Sequence, residues 1–189
     1  MSAGTTAPTR LLTAEEFASL PDDGKRRELI AGRIHEMTSP GTPHGTVIFN
    51  IAFLLKQYLK RNDIGRTWGA ESGLVTARDP DTVRGMDAAF ISYKRRPREE
   101  KWQGLAQTAP EIVFEVLSPE DRWPRVLKKI AEYLEAGVLL VCILDPELKT
   151  IQLHSASTSP PTLQAGDVFS VEEILPGFEC KVAEFFEDT

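Results

Sequence analysis

The chain has 189 residues, 26% of them charged and 41% hydrophobic, with a formal net charge of −6 at pH 7. This profile is typical of one compact globular domain, which at this length folds without a disulfide or a structural metal. The negative charge argues against nonspecific attraction of the whole surface to nucleic acid but leaves room for a local basic groove. The longest apolar run, Val138–Leu144, is far shorter than the about 20 residues that cross a bilayer, so no membrane contact is expected.

The amino terminus and the cysteines indicate the cellular compartment. Residues 1–10 lack the positive cluster and apolar stretch of a secretory signal, so we expect them to form a disordered tail on a cytoplasmic protein. Residues 11–189 are expected to form a single domain. Cys142 lies inside an apolar run, which is typical of a buried free thiol. The histidines and cysteines show no zinc-site spacing, so a bound metal would have oxygen ligands.

The first half of the chain is predicted to begin with a short helix, a β-hairpin and a long helix. Thr13 and Glu16 have the spacing of a capping box, and Ala31-Gly32 is typical of a tight turn that places Glu28 on the first hairpin strand. Apolar residues at helical spacing predict the long helix. In chain order these elements are a helix from Thr13 to near Leu20, strands over Arg27–Ile30 and Arg33–Met37, and a helix from His44 to about Arg61.

The rest of the chain is predicted to consist of strands with one amphipathic helix between them. A strand, helix and strand in succession, with nearly continuous apolar strands, predict a central parallel pair in an α/β sheet. The predicted elements are strands Gly73–Ala77, Met86–Ser92 and Ile112–Leu117, a helix from about Trp123 to Ala136, strands Val138–Leu144 and Thr150–His154, and docking segments Val168–Val171, Ile174–Leu175 and Val182–Phe186.

Glu115 is the most informative residue because it interrupts an apolar strand. An unpaired buried carboxylate would be prohibitive, so an arginine, a proton, a metal ion or a cleft at the strand end must compensate it. Asp87 stands in a similar place, just ahead of the core-like run Ala88–Ile91. A structural salt bridge for Glu115 and a strand-end position for Asp87 are the alternatives.

One lysine on the helix after this strand can reach back toward the sheet. At about 100° per residue, Lys129 lies at about −100° from Ile130, beside the buried face, whereas Lys128 lies at about 160° and points to solvent. A lysine that extends into water is the alternative. The predicted buried face consists of Ile130 and the residues within roughly 60° of it, which are Val126, Leu127, Tyr133 and Leu134.

Glu28, Asp87, Glu115 and Lys129 are weak signals when each is taken alone. Two carboxylates at strand ends, with a third acid and a lysine nearby, would form an oxygen-ligand site for Mg²⁺ beside a phosphodiester. The metal would lower the pKa of a bound water, and the lysine would orient that water or stabilise developing negative charge. The combination therefore predicts a hydrolytic site.

Several stretches between about Leu12 and Phe186 are similar to one known family. They are Arg27–Arg33 with Glu36-Met37, His44, Asp87 before Ala88–Ser92, Ala109–Pro119, Asp121-Arg122, Lys129–Val138, Leu144–Pro146 and Leu175–Phe178. Together they resemble the Uma-type family of restriction-endonuclease-like proteins, within the PD-(D/E)XK nuclease superfamily. The resemblance implies an α/β (α+β) domain with a mixed central sheet flanked by helices. It also implies that Asp87 and Glu115 are metal ligands, Glu28 an auxiliary acid and Lys129 a relocated motif lysine.

Two positions depart from the superfamily pattern. Met86 replaces the proline usual before the aspartate, and Leu117 stands where the motif lysine is usual. Catalysis would therefore depend on Lys129. His44 also matches the family, and helix capping is the simpler account of it.

The leading hypothesis is a Mg²⁺-dependent endonuclease, with Mn²⁺ as a substitute, that hydrolyses DNA and acts as a homodimer. The basic residues that would contact phosphates are Lys94, Arg95, Arg96, Arg98 and Arg122, although a solvated surface loop is the commoner explanation for such a run.

Two other functions stay open. The missing lysine at Leu117 and the acidic charge are compatible with a nuclease fold that binds nucleic acid or a protein partner without cutting. A glycosidase using Glu28, Asp87 and Glu115 has little support, because the aromatic residues that could line a sugar cleft show no common spacing. These aromatic residues are Trp68, Trp102 and Trp123.

Overall fold

The structure is a computed structural model that describes residues 10–39, 41–101, 103–156 and 159–188, without the side chains of residues 70 and 71. Residues 1–9 of the predicted tail and Trp102 lie outside the described residues. Within the described ranges, no helix is both long and apolar enough to span a membrane.

Three α-helices, ten strands and one 3₁₀ helix make up the described fold. Their bounds are α1 Ala14–Ala18, β1 Arg27–Ile30, β2 Arg33–Glu36, α2 Thr42–Leu59, β3 Gly65–Ala77, β4 Thr82–Ser92, β5 Ile112–Val116, α3 Trp123–Glu135, β6 Leu140–Asp145, β7 Thr150–His154, β8 Thr162–Leu163, β9 Val168–Ser170, β10 Glu179–Lys181 and the 3₁₀ helix Val182–Phe186.

The local signals account for most of these elements. The capping box that begins α1 is formed, since Thr13 Oγ1 accepts from the Glu16 backbone N–H and the Glu16 side chain accepts from the Thr13 backbone N–H. Ala31 and Gly32 both have positive φ, as the tight turn between β1 and β2 requires. The predicted long helix is α2, which begins two residues earlier than His44, at Thr42.

Eight strands form one mixed sheet in the order β2-β1-β4-β5-β6-β7-β8, with β3 paired to β4. The pair β5–β6 is parallel and the other pairs are antiparallel. This arrangement, with helices packed on the sheet, confirms the predicted fold class. A small second sheet pairs β9 with β10.

Strands β3 and β4 are longer than predicted. The sequence predicts strands over Gly73–Ala77 and Met86–Ser92, whereas β3 begins at Gly65 and β4 at Thr82. Glycines and a register shift between Gly69 and Ser72 interrupt the alternation in β3. A Cβ on Gly69 would lie 2.3 Å from the Asp87 carbonyl oxygen, so this glycine allows β3 to approach β4 closely.

The two faces of the sheet carry separate apolar clusters. Alternate strand residues divide between them, so that Phe114 packs with α2 and Val113 packs with α3. The carboxyl-terminal segments join the α2 cluster through Phe169, Phe178 and Phe185. Cys142 and Cys180 are buried and free, as predicted for Cys142.

Candidate active site

A gap along one edge of β4 creates the candidate site. On this edge β1 pairs with the first part of β4 at Val83, and β5 pairs with the last part from Ala88 to Phe90. Between them the backbone of Gly85 bonds to side chains, since its N–H donates to Glu28 and its carbonyl accepts from Tyr133. The carboxyl end of β5 and the amino end of β1 therefore meet at this gap.

Asp87 and Glu115 approach each other across the strands that border the gap. The register pairs Ala88 with Phe114, so the next position along β4 and β5 places Asp87 opposite Glu115. Asp87 Oδ2 accepts from the Val116 backbone N–H at 2.8 Å and lies 3.4 Å from His44 Nε2. Burial acts to raise the pKa of Asp87, but His44 and the Val116 N–H outweigh it, and the pKa is lowered.

His44 contacts this carboxylate from the first turn of α2. The prediction that His44 caps α2 is wrong, because Gly41 is the N-cap residue and no side chain caps the start of the helix. The imidazole is instead directed at Asp87 and is 7% exposed. Its Nδ1 is buried and, among the described residues, has no hydrogen-bond partner.

Two residues one helical turn apart hold both oxygens of Glu115. Lys129 Nζ donates to Oε2 at 2.7 Å, and the Tyr133 hydroxyl lies 2.7 Å from Oε1 and 2.9 Å from the Gly85 carbonyl oxygen. Burial and the charge of Asp87 raise the pKa of Glu115 to about 7, although Lys129 acts in the opposite direction. The Tyr133 hydroxyl has one proton, and two acceptors lie beside it. If the hydroxyl donates to the Gly85 carbonyl, its contact with Glu115 is a hydrogen bond when Glu115 carries a proton and donates it.

Glu28 lies on the other side of Lys129. Its Oε1 is 3.3 Å from Lys129 Nζ, and its Oε2 accepts from Arg84 Nη1 at 2.6 Å. Burial opposes ionisation, but Lys129 and Arg84 lower the pKa of Glu28. Burial likewise acts against the charge of Lys129, and Glu115 and Glu28 outweigh it and raise its pKa. Glu28, Asp87, Glu115 and Lys129, predicted from sequence, therefore lie together.

The orientation of α3 explains why Lys129 reaches these acids. The predicted buried face included Leu127, but this residue is 51% exposed, whereas Tyr133 is fully buried. The buried face is therefore rotated toward the flank that carries Lys129, whose side chain is 19% exposed. Lys128 points outward, as predicted, with 63% of its side chain exposed.

Sequence reasoning missed three contributors to this arrangement. The sequence pattern places Tyr133 in the core without indicating its contact with Glu115, and it gives no signal for Arg84. His44 was assigned to a helix cap. The signal for Tyr133 was its position four residues after Lys129 on the same face, since residues at this spacing are neighbours on a helix.

The acids and the lysine border one cavity of about 1140 Å³. Its walls are the β1–β2 hairpin, the start of α2, the first turns of α3 and the turn after β6.

The basic residues predicted to contact phosphates do not line this cavity. They are Lys94, Arg95, Arg96, Arg98 and Arg122. Arg95 Nη1 instead donates to the carbonyl oxygens of Ala109, Pro110 and Gly137, and so holds its own loop in place.

The sequence of the chain matches one known protein family over most of its length. The model of the family described as "Uma2: Putative restriction endonuclease" matches residues 14–183. The chain belongs to the Uma2 family.

A solved structure supports the same fold. It is described as a putative nuclease belonging to DUF820 from Anabaena variabilis, and it is 21% identical in sequence, with a TM-score of 0.80. The match covers 93% of this Uma2 chain and 97% of that chain. No curated protein matches the sequence.

The donor set of this Uma2 site fits a metal that prefers oxygen ligands. Asp87 and Glu115 supply carboxylates from neighbouring strands, and their mutual repulsion contributes to the raised pKa of Glu115. Among the described residues, no three His, Cys, Asp or Glu side chains form a ready-made metal cluster. Mg²⁺ is commonly held by one or two carboxylates together with waters and substrate phosphates, so a two-carboxylate site suits it.

Proposed function

We propose that this Uma2 protein is a Mg²⁺-dependent endonuclease that hydrolyses DNA phosphodiester bonds. The observation that carries the proposal is the meeting of Glu28, Asp87, Glu115 and Lys129 in one cavity. Their positions in sequence are far apart, and the fold brings them together at the gap between β1 and β5. Carboxylates can hold a divalent metal ion, and a neighbouring amine can stabilise negative charge on a phosphate, so this set of groups suits metal-assisted phosphodiester hydrolysis.

In this proposal Asp87 and Glu115 would hold the metal. The contacts of Asp87 with the Val116 N–H and with His44 are both made by Oδ2, so in this proposal Oδ1 would bind the metal. Bound there, Mg²⁺ would supply a Lewis acid for the phosphate and a lowered pKa for the attacking water. His44 and the Val116 N–H fix the Asp87 carboxylate, and Tyr133 fixes Glu115.

Lys129 supplies the positive charge that the missing motif lysine would supply at Leu117. The water oxygen would form a bond to phosphorus as the bond to the leaving sugar oxygen breaks. The attacking water would give a proton to solvent, and the leaving sugar oxygen would take a proton from solvent. Negative charge builds on the phosphate during this step. The ammonium of Lys129, 2.7 Å from Glu115, stands beside the reacting group and stabilises that charge or orients the water.

Two helix amino termini at the cavity are suited to hold a substrate phosphate. Helices α2 and α3 both begin at the cavity, and each lacks a side-chain cap and an acidic residue in its first turn. The partial positive charge of each helix terminus is therefore left for an anion. Arg26 and Arg125 add positive charges along the same walls. The walls also carry acids outside the proposed metal site, so a phosphate would bind at the helix termini and these arginines and not to the walls in general. These acids are Glu36, Glu120, Asp121, Asp145 and Glu147.

The test is cleavage of supercoiled plasmid in the presence of Mg²⁺ or Mn²⁺. We expect nicked and linear products from the wild-type protein and none above background from Asp87→Ala. Lys129→Met should lower the rate about 100- to 1000-fold, as loss of one transition-state donor commonly does. The neighbouring Lys128→Met is the matched variant, and its effect should be much smaller. Equal cleavage by the wild-type protein and Asp87→Ala would refute the proposal.

The alternative is a nuclease fold that binds nucleic acid or a protein partner without cutting. The observation that favours it is Leu117, whose side chain lines the cavity at the place of the motif lysine. Calorimetric titration with Mg²⁺ separates the two functions, because the nuclease requires a carboxylate metal site that disappears in Asp87→Ala. A homodimer would allow both DNA strands to be cut, and the mass measured by light scattering tests it.

A further inference from the structure

Arg84 is a buried arginine that the proposed reaction does not use. It lies on β4 and is 5% exposed. Its Nη1 donates to Glu28 Oε2 at 2.6 Å and its Nε donates to Glu132 Oε2 at 2.5 Å. One guanidinium therefore joins carboxylates from two elements, the hairpin strand β1 and the helix α3.

The position of the Lys129 ammonium depends on two competing acids. Lys129 Nζ is 2.7 Å from Glu115 Oε2 and 3.3 Å from Glu28 Oε1. Glu28 is the more buried of the two residues, and its charge would attract the ammonium strongly if Lys129 were its sole counter-charge. Arg84 is a second counter-charge for Glu28, and Lys129 lies nearer to Glu115 than to Glu28.

The bond from Arg84 to Glu132 acts on the same helix. Glu132 lies three residues after Lys129 on α3, so the two side chains are neighbours on the helix surface. By holding Glu132, Arg84 ties this turn of α3 to β4. The Tyr133 hydroxyl makes a second tie from the same turn to Gly85 of β4.

We propose that Arg84 is a positioning residue that directs the Lys129 ammonium toward Glu115 by satisfying Glu28 and holding Glu132. This inference rests on the proposed function, because it concerns the amine of that same site. Without Arg84, the ammonium moves toward Glu28 and away from the acids that would hold the metal. The loss would then affect the chemical step more than substrate binding.

The position of Lys129 can be measured without any activity. A ¹H–¹⁵N spectrum records buried lysine ammonium groups, and the signal that Lys129→Met removes belongs to Lys129. We expect Arg84→Met to shift or broaden this signal, and Arg84→Lys to shift it less, because a lysine keeps the charge but cannot span both acids. If Arg84→Met fails to fold, the shift in Arg84→Lys decides.

Arg78→Met is the matched control. Arg78 Nη1 also bridges two carboxylates, Glu15 at 2.9 Å and Asp81 at 2.8 Å, but it does not line the cavity. This variant should leave the Lys129 signal unchanged. An unchanged Lys129 signal in folded Arg84→Met, or in Arg84→Lys where Arg84→Met does not fold, would overturn the proposal.

Kinetics give the second readout. Arg84→Met should lower kcat for plasmid cleavage about 10- to 100-fold with little change in KM, as loss of a supporting contact at a metal site does. Arg84→Lys should recover part of this loss, and Arg78→Met should match the wild-type protein. Equal kcat values for the wild-type protein and Arg84→Met would contradict the inference. If the wild-type protein does not cleave, the proposed function fails, whereas the spectrum still tests Arg84.

Discussion

The face of the sheet covered by α2 is filled with apolar side chains, whereas the face covered by α3 carries charged groups among its apolar contacts. Phe114, Phe169, Phe178 and Phe185 interlock on the α2 face, which the carboxyl-terminal segments also cover. On the other face, α3 directs Lys129 and Glu132 to acids and an arginine of the sheet.

This difference separates most of what stabilises the protein from most of what forms the site, to which α2 contributes His44 and its amino terminus. Apolar burial on the α2 face requires no charge compensation, so it contributes stability directly. Charged groups on the α3 face must be paired to be tolerated, and replacing such pairs by apolar residues is often neutral or stabilising. The charged network is therefore expected to serve the chemistry more than the stability.

The largest effect is expected from truncation on the α2 face. Phe169 is fully buried, and its ring centre lies 5.4 Å from that of Phe185 and 6.2 Å from that of Phe114. Phe169→Ala should lower the free energy of unfolding by about 3 to 5 kcal/mol, because it leaves a cavity in this cluster. Urea denaturation measures the loss.

The control for this prediction is an exposed phenylalanine on the helix of the same face. Phe49 is 79% exposed, so Phe49→Ala should change the unfolding free energy by no more than about 0.5 kcal/mol. Plasmid cleavage per folded molecule should be unchanged in Phe169→Ala. If that variant instead lost activity while still folded, the separation between the two faces would be wrong.

The next effect is a pH dependence of stability that arises from the charged groups on the α3 face. Glu115 has an ordinary pKa of 4.5 in the unfolded chain and about 7 in the fold, so between these values the folded state holds a proton that the unfolded state has lost. The contribution of Glu115 to stability therefore falls as the pH rises from 4.5 to 7, by at most about 1.4 kcal/mol per pH unit. Above pH 7 it is constant.

The contribution of Glu28 to stability changes with pH in the opposite direction to that of Glu115. Its pKa is lowered in the fold, so its contribution is present above pH 4.5 and is lost as the pH falls through the folded pKa. Urea unfolding of the wild-type protein, Glu115→Gln and Glu28→Gln at several pH values separates the two windows. A difference between the wild-type protein and Glu115→Gln that does not vary between pH 5 and pH 7 would contradict the raised pKa.

The extent of sequence prediction also differs between parts of the molecule. The unit β5–α3–β6 was predicted well because its strands are nearly continuous apolar runs and its helix, which ends at Glu135, is followed closely by Gly137. The start of β3 was missed because Gly65 and Gly69 lack the side chains that produce an alternating pattern. Their role depends on how closely β4 approaches, which only the fold determines.

The site residues that the sequence predicted are those whose charge conflicts with the apolar residues around them. Glu115 was found because a charge interrupts an apolar strand, and Lys129 because helical geometry places it beside the buried face. Arg84 lies in a mixed segment, and nothing local distinguishes it from a surface arginine. Its importance comes from the gap between β1 and β5, where Glu28 and α3 meet.

The smallest effect on stability is expected from removing one hydroxyl on either face. Tyr133 on the α3 side contacts the Gly85 carbonyl and Glu115, and Tyr58 on α2 donates to the Pro176 carbonyl at 2.8 Å. Tyr133→Phe should cost about 1 kcal/mol of unfolding free energy, and Tyr58→Phe about 0.5 kcal/mol or less because its hydroxyl is exposed.

Activity distinguishes these two tyrosines, because the Tyr133 hydroxyl fixes one oxygen of Glu115. Tyr133→Phe should lower kcat for plasmid cleavage about 10-fold or more, since it frees a carboxylate that the site must hold in place. Tyr58→Phe has no contact with the site and should cleave like the wild-type protein. Equal losses of kcat in the two variants would mean that the α2 face is coupled to the chemistry, which would break the contrast between the faces.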